Sequence, residues 1–506
     1  MIRLDDEFSR RSLLLWLPGA LMSGLAMASP QPPSPPAARP SRTNVPRLPG
    51  AVTRPPEWLG PEAPFDVAAY FKAPPDDQNA APLYLDALFE FGPEMAVCFP
   101  EGPVRARRER TAKERMRRYA EVAKSLERGP DAVPPREMNA FLALYDEGLA
   151  KLARAQERPR CVFQAGIGMN ALLPHLQDAR NAGRVLLWKA RRLMEQGSVP
   201  GALQQASRVL RLVRDLQPRG FTIAAMVGVA LERLAMNEVF LPLLQSRGLK
   251  AEHCDAALAI LREHDSKSID VYSEVLRGEY LLCRSTLRDL VLHQDQFRRD
   301  LGAAGVRIGP SLVESVLDTN RRPGQGTPVT GPGATSDLDA KMASMTPSEL
   351  ARQEAKLTAL YRDRLGLAGT PYAERIRRLA EPPAEGRSAD ILTRVALGLV
   401  PAPDSVPWSA LVQAALRSLQ ALTAVRRWQI RHSGQLPASL ESAARDAGLA
   451  RFPIDPYTGG PVRLAILDGK PVAYCLGEDG KDDQGRTAAT RPGQRGDVVL
   501  RMPDQK

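Results

Sequence analysis

The chain is poor in the side chains that most often carry chemistry. Aromatics make up 5% of its 506 residues, and it has five histidines and five cysteines. So few aromatics leave little for a surface that stacks on bases or sugars. So few His and Cys exclude a rich metal centre. No CxxC pair is present, nor HExxH, GxSxG, GxxxxGK[ST] or GxGxxG, so the usual signatures of metalloproteases, serine hydrolases and nucleotide binders are missing. The acid pairs Asp5–Asp6 and Asp76–Asp77 fall in terminal or Pro-rich stretches and suggest no glycosidase site. The reading is of a non-enzymatic protein with no catalytic residue and no certain cofactor.

Proline and charge are what the chain has. It carries 45 prolines and a net charge of 69 − 58 = +11, with an ordinary 25% charged and 43% hydrophobic residues. Its length is roughly three domains' worth. Residues 13–25 form a short apolar run, LLLWLPGALMSGL, preceded by Arg10 and Arg11 and followed by Ala26-Met27-Ala28. A positive flank, an apolar run about half the length of a membrane span and small residues at −3 and −1 are the features of an export signal. Cleavage is expected after Ala28, and an uncleaved signal would leave a membrane anchor. The stretch Ser9 to Leu14, SRRSLL, also resembles the twin-arginine export motif. Residues 29–63 are Pro-rich and read as a semi-rigid tether. The expected location is therefore the periplasm or cell envelope.

Residues 64–306 show apolar spacing of three and four, the mark of amphipathic helices. Helices are expected over 79–94, 135–155, 179–196, 201–216, 221–245, 251–264 and 268–301. The pair 179–196 and 201–216, broken by Gly197-Ser198-Val199-Pro200, is a helical hairpin that resembles a tetratricopeptide unit, although no strict 34-residue period is found. A Pro/Gly linker follows over 307–346, then short helices within 347–408 and a long helix over 408–432. The fold class expected is mainly α, as irregular helical hairpins, ending in a small α+β unit over 409–506.

The most specific pattern is in that tail. Gly434 to Pro437 ends the long helix, Asp455 to Pro461 is turn-dense, and Val462–Leu467 and Pro471–Leu476 alternate around Asp468-Gly469, a hairpin signal. An acidic Gly-rich loop, Gly477 to Gly485, precedes a last strand at 497–502. In this order the segments resemble the GxxP turn, DPxGxP segment, strand pair, acidic loop and terminal DI of the major pseudopilin heads of type II secretion, over about residues 409–502. The resemblance implies a calcium ion in the acidic loop, and the matching oxygen donors here are Asp479, Asp482, Asp483 and Asp497; Asp482 and Asp483 stand where the family has a glycine pair, and Arg486, Arg491 and Arg495 would compete for the carboxylates. The family's Gly-Phe-Thr cleavage site has only a mid-chain echo at Gly220-Phe221-Thr222, which reads as a helix start. The whole chain is also similar to a helical family of planctomycetes, in which a region like Cys98, Cys161 and Leu172–Leu176 precedes the same tail. That resemblance implies architecture and no activity.

Three further features invite a role. The stretch 105–128 carries ten basic residues, among them Arg105, Arg107, Arg108, Arg115 and Arg118, against four acids. Glu–Arg spacings of one turn make a solvated helix face the first reading; an anionic surface is the alternative, and no nucleic acid is expected because only Tyr119 interleaves. Cys98 and Cys161, at helix boundaries, are the candidate disulfide, while Cys283 and Cys475 read as buried thiols. His175 reads as a core or capping histidine. The expected partner is an envelope protein of unspecified identity, met by a helical scaffold; an exported hydrolase-like enzyme with a cleft between scaffold and tail is the alternative.

Overall fold

The computed structural model describes residues 46–303, 344–380, 405–449 and 453–502, apart from 130, 169, 170 and 247. The export signal, the first half of the Pro-rich stretch and most of the 307–346 linker lie outside these residues. The described chain is mainly helical, with one small antiparallel sheet.

The apolar periodicity becomes helices close to where it is read. After α1 (Val67–Phe71), α2 (Ala81–Leu88) and a 3₁₀ turn at Pro93–Cys98 come the basic α3 (Pro103–Leu126), α4 (Pro135–Ala143) and α5 (Asp146–Ala155). The single helix expected over 135–155 is thus two. Leu144 and Tyr145 close short turns onto Phe141 and Leu142, and α5 restarts with Asp146 and Glu147 in its first turn, where acids favour a helix N-terminus.

Next is the hairpin of α6 (Pro174–Glu195) and α7 (Val199–Leu216), the most extensively packed helix pair. Gly197 turns it with a φ of 78°, a conformation that costs glycine nothing, and Pro200 sits in the first turn of α7. The segment expected as one helix over 221–245 is α8 (Thr222–Ala235), a π turn at Met236–Phe240 and α9 (Leu241–Gln245). Pro242 can give no N–H to the Glu238 carbonyl, and the widened turn accommodates its ring. The layer continues with α10 (Ala251–Lys267), α11 (Val271–Leu292), α12 (Gln294–Ala303), α13 (Pro347–Leu365) and α14 (Tyr372–Ala380). At the start of α13 Thr346 and Glu349 cap each other's backbone amides. Pro347 opens that helix at a position where its missing N–H costs nothing.

The tail is α15 (Ser405–Arg431), α16 (Leu440–Asp446) and strands β1 (Arg463–Leu467), β2 (Lys470–Cys475) and β3 (Val498–Arg501), in sheet order β1-β2-β3. The β1–β2 turn is the expected Asp-Gly: Asp468 and Gly469 both have positive φ, 51° and 72°, as a tight hairpin requires.

One expectation about organisation is corrected, for the part of the Pro-rich stretch that is described. Residues 46–63 do not behave as a tether: Leu48 and Leu59 are buried, the Arg47 and Val52 amides bond to the Cys98 and Ala165 carbonyls, and Arg284 bonds to Trp58 O and Glu62. The tail packs directly on the scaffold helices. One side of α15 covers β2 and β3 while another packs on α8 and α10, so Ala414, Leu419 and Leu422 belong to the same core as Leu186 and Leu210. A helix buried on two sides is apolar over more than one stripe, and α15 is.

Candidate functional site

The basic helix α3 is built around an acid on another element. Glu90, 7% exposed, follows α2 and accepts from Lys151 Nζ (2.8 Å), Arg108 Nη2 (3.0 Å) and Arg115 Nη1. Burial opposes its ionisation, but Lys151 and Arg115 together hold its pKa below the ordinary 4.5. Asp86 adds a bond from Arg108 Nη1 (2.7 Å), whose guanidinium lies 4.5 Å from the centre of the Phe89 ring. Two of the five basic residues expected at the surface, Arg108 and Arg115, are therefore turned inward to neutralise these acids. Arg105 is half-buried and donates to Phe99 O, and Arg118 pairs with Glu121 at 2.6 Å. Arg107 stays outward, in company with Arg110, Arg117 and Lys124. Sequence reasoning misses Glu90; its signal is an acid inside the apolar run Leu88 to Phe91.

In the tail, Asp455 is fully buried and clamps two chain segments. Its Oδ1 accepts from Tyr457 N (2.8 Å) and its Oδ2 from Leu476 N (2.9 Å), with Arg463 Nη1 3.6 Å away. The aspartates expected as calcium donors serve the loop's own hydrogen bonds. Asp479 accepts from Lys481 N and Gly496 N, and Asp482 from Gln484 N and the Tyr474 hydroxyl, with Arg463 Nε 3.5 Å from its other oxygen. Asp497, 0% exposed, accepts from Gly485 N (2.8 Å) and the Asp483 amide, and its Oδ1 has no hydrogen-bond partner. Asp483, half-buried, also gives its carbonyl to Arg486 N. Burial, with a smaller push from Asp482 and Asp483, raises the Asp497 pKa from 3.8 to about 6. Among the described residues no three His, Cys, Asp or Glu are placed to hold a metal ion. Asp479 and Asp482 accept from amides and a tyrosine hydroxyl, with Arg463 beside Asp482, while Asp497 keeps one oxygen without a partner.

All five cysteines are buried free thiols, so the Cys98–Cys161 disulfide expected from sequence is not made. The two sit in different surroundings. Cys98 has Asp178 and Arg105 as its charged neighbours, Cys161 has Asp215 and Arg211. Burial lifts the Cys98 thiol to about 12 and Cys161 well above its usual value, so neither is a nucleophile at neutral pH. His175 is the expected core histidine, stacked 4.5 Å from Phe163 and held down to about 3 by burial. Asp178, fully buried and pressed against Gly92, is raised well above the carboxylate range by burial and by Glu94.

One cavity lies at the junction of scaffold and tail. The cavity bounded by Met236, Leu411, Val412, Val498 and Leu500 holds about 20 Å³, the space of a single water. The larger hollow of about 410 Å³ is an open groove between α7 and α10, lined by Leu203, Gln204, His253 and Ile260. Among the described residues no helix is long and apolar enough to cross a membrane. No protein-family model, curated protein or solved structure matches the chain.

Proposed function

We propose that the chain is an exported, non-enzymatic protein of the cell envelope, a helical scaffold for protein contact carrying a C-terminal module like the head of a type II secretion pseudopilin. The observation that carries this reading is the architecture of the tail: a long helix laid across a three-stranded antiparallel meander, left through Gly434 (φ 86°) and locked by the buried Asp455. The arrangement follows the order of the sequence segments that resemble the pseudopilin head. The export signal over 1–28 supplies the location, and the α6–α7 hairpin with its open groove toward α10 supplies the surface a partner would meet. The thiols are inert and the polar side chains that converge are spent on structure, which favours contact over chemistry.

Crosslinking in intact cells of the host, with a photoreactive residue placed at Gln204 or Ile260 in the α7–α10 groove, tests the reading. A crosslinked envelope protein is the expected product. Crosslinks to cytosolic proteins would overturn the assignment of place, and turnover of an envelope substrate by the pure chain would overturn the assignment of class.

A further inference from the structure

Glu90 and Asp86 draw Arg108 and Arg115 to the inner side of α3, and what they leave on the outer side is a cationic face. Taken at 100° per residue, Arg107, Arg110, Arg117 and Lys124 fall within an arc of roughly 100°, Arg128 follows two residues past the end of the helix, and all five are exposed. None of Arg107, Arg110, Arg117 or Lys124 has an ion pair or side-chain hydrogen bond among the described residues, while Arg128 bonds only to Ser125 Oγ. Two acids share the arc. Glu121 is held by Arg118 at 2.6 Å, so five cations stand against the single acid Glu114.

Other features sharpen this face. The first turn of α3 contains no acid, and only Glu101, just before the Gly102 N-cap and 3.8 Å from Arg105, offsets the positive end of the helix dipole. In the same turn Val104 is 73% exposed, and nearby Val97 is 44% exposed. The apolar residues of α3, Ala112, Tyr119 and Val122, are buried in the protein, so attraction to a lipid surface would come from the charges, about 1 kcal/mol for each basic residue near it, with Val104 alone as an apolar contact at the helix end. The chain also reaches the fold at this end, since the Arg47 amide bonds to Cys98 O, five residues before Pro103. Residues 26–45 separate the apolar run 13–25 from Pro46 and span at most about 70 Å. If that run stays in a membrane, it keeps the end of α3 within reach of the same leaflet.

We infer that the outer face of α3 docks on the anionic leaflet of a phospholipid membrane, with Arg107, Arg110, Arg117, Lys124 and Arg128 over the headgroups and Val104 at the boundary. The inference goes beyond the proposed protein-contact role; the part drawn from the apolar run rests on the envelope reading, and the part drawn from charge does not.

The test is flotation of the full chain with vesicles of phosphatidylcholine alone or of equal parts phosphatidylcholine and phosphatidylglycerol. Each basic residue near an anionic surface strengthens binding about fivefold, so three engaged at once give a preference of about a hundredfold for the anionic vesicles, and added salt should erase it. Binding to the neutral vesicles reports the apolar run. The variant Arg107→Gln/Arg110→Gln/Arg117→Gln/Lys124→Gln should lose the anionic preference with its helical circular dichroism intact. A control with the same loss of charge at exposed sites elsewhere, Arg160→Gln/Lys250→Gln/Arg262→Gln/Arg352→Gln, should keep it. No preference in the wild type, equal loss in both variants, or binding of duplex DNA in place of vesicles would overturn the inference. Recovery of the protein from the cytosol with vesicle binding intact would instead sink the envelope reading alone.

Discussion

Replacing Glu90 by Gln tests whether α3 is held by the acid behind it. The substitution keeps the side chain's shape and removes one charge from the contact of Arg108, Arg115 and Lys151. Removing one partner of a buried ion pair costs about 3–5 kcal/mol, because the other charge is left without compensation. Here the cations are partly exposed, and they keep Asp86 (2.7 Å to Arg108) and Glu147 (2.9 Å to Lys151). The lower end of the range, about 3 kcal/mol, is therefore expected. The native pKa of Glu90 lies below its ordinary 4.5, so its contribution is present above pH 4.5 and is lost as the pH falls through the native value. Urea unfolding followed by far-UV circular dichroism should show the full gap between wild type and variant at pH 7 and a narrowing gap below pH 4.5. Arg115→Met combined with Glu90→Gln should cost less than the two changes summed. A difference at pH 7 under about 0.5 kcal/mol, the size of an ordinary surface substitution, or one that does not change with pH would refute the reasoning.

Gly92→Ala would place a Cβ 1.6 Å from Asp178 Oδ1; displacing that buried carboxyl should cost about 2 kcal/mol in unfolding free energy, and an unchanged urea midpoint would contradict the close approach. The five thiols should resist a thiol reagent in the native protein and all react in urea; fast labelling of Cys98 or Cys161, or a disulfide between them, would show the burial to be misassigned. Because the native pKa of Asp497 is raised from 3.8 to about 6, its stabilising contribution is complete below pH 3.8 and is lost as the pH rises through 6. Asp497→Asn, neutral throughout, should therefore gain on wild type between pH 4 and pH 8 in thermal melts, and a pH-independent difference would count against the buried carboxyl. Asp497 Oδ1 is left without a partner in the acidic loop, so if the loop takes calcium, millimolar calcium should raise the wild-type melting temperature and Asp479→Ala should abolish the rise; no shift in the wild type would exclude the site.

Most helices are legible because local spacing decides them. A helix expected within 347–408 runs from Pro347 to Leu365, and the one expected from 408 starts three residues earlier, at Ser405. The Asp468-Gly469 hairpin is legible because few residues adopt positive φ without cost. What stays hidden depends on distant partners. Residues 46–63 have the composition of a linker, and only the carbonyls of Cys98 and Ala165 and the side chain of Arg284 make them part of the fold. The role of Glu90 depends on cations 18, 25 and 61 residues away. The inward turn of Arg108 and Arg115 follows from the same contacts, so a local count of charges over 105–128 overstates the exposed face and misidentifies its members. The joining of tail to scaffold is partly visible in the apolar breadth of α15, from Leu411 and Val412 to Ala415 and Leu416, which one neighbouring layer does not explain.

The most direct test of the central claim is the location of the full chain in its own host, read by fractionation together with protease access to intact cells and to cells with a permeabilised envelope. The wild type should be recovered with the periplasmic or membrane fraction, and the Arg10→Lys/Arg11→Lys variant should be lost to the cytosol. Wild-type protein that remains in the cytosol, protected from protease until the cells are lysed, would contradict it.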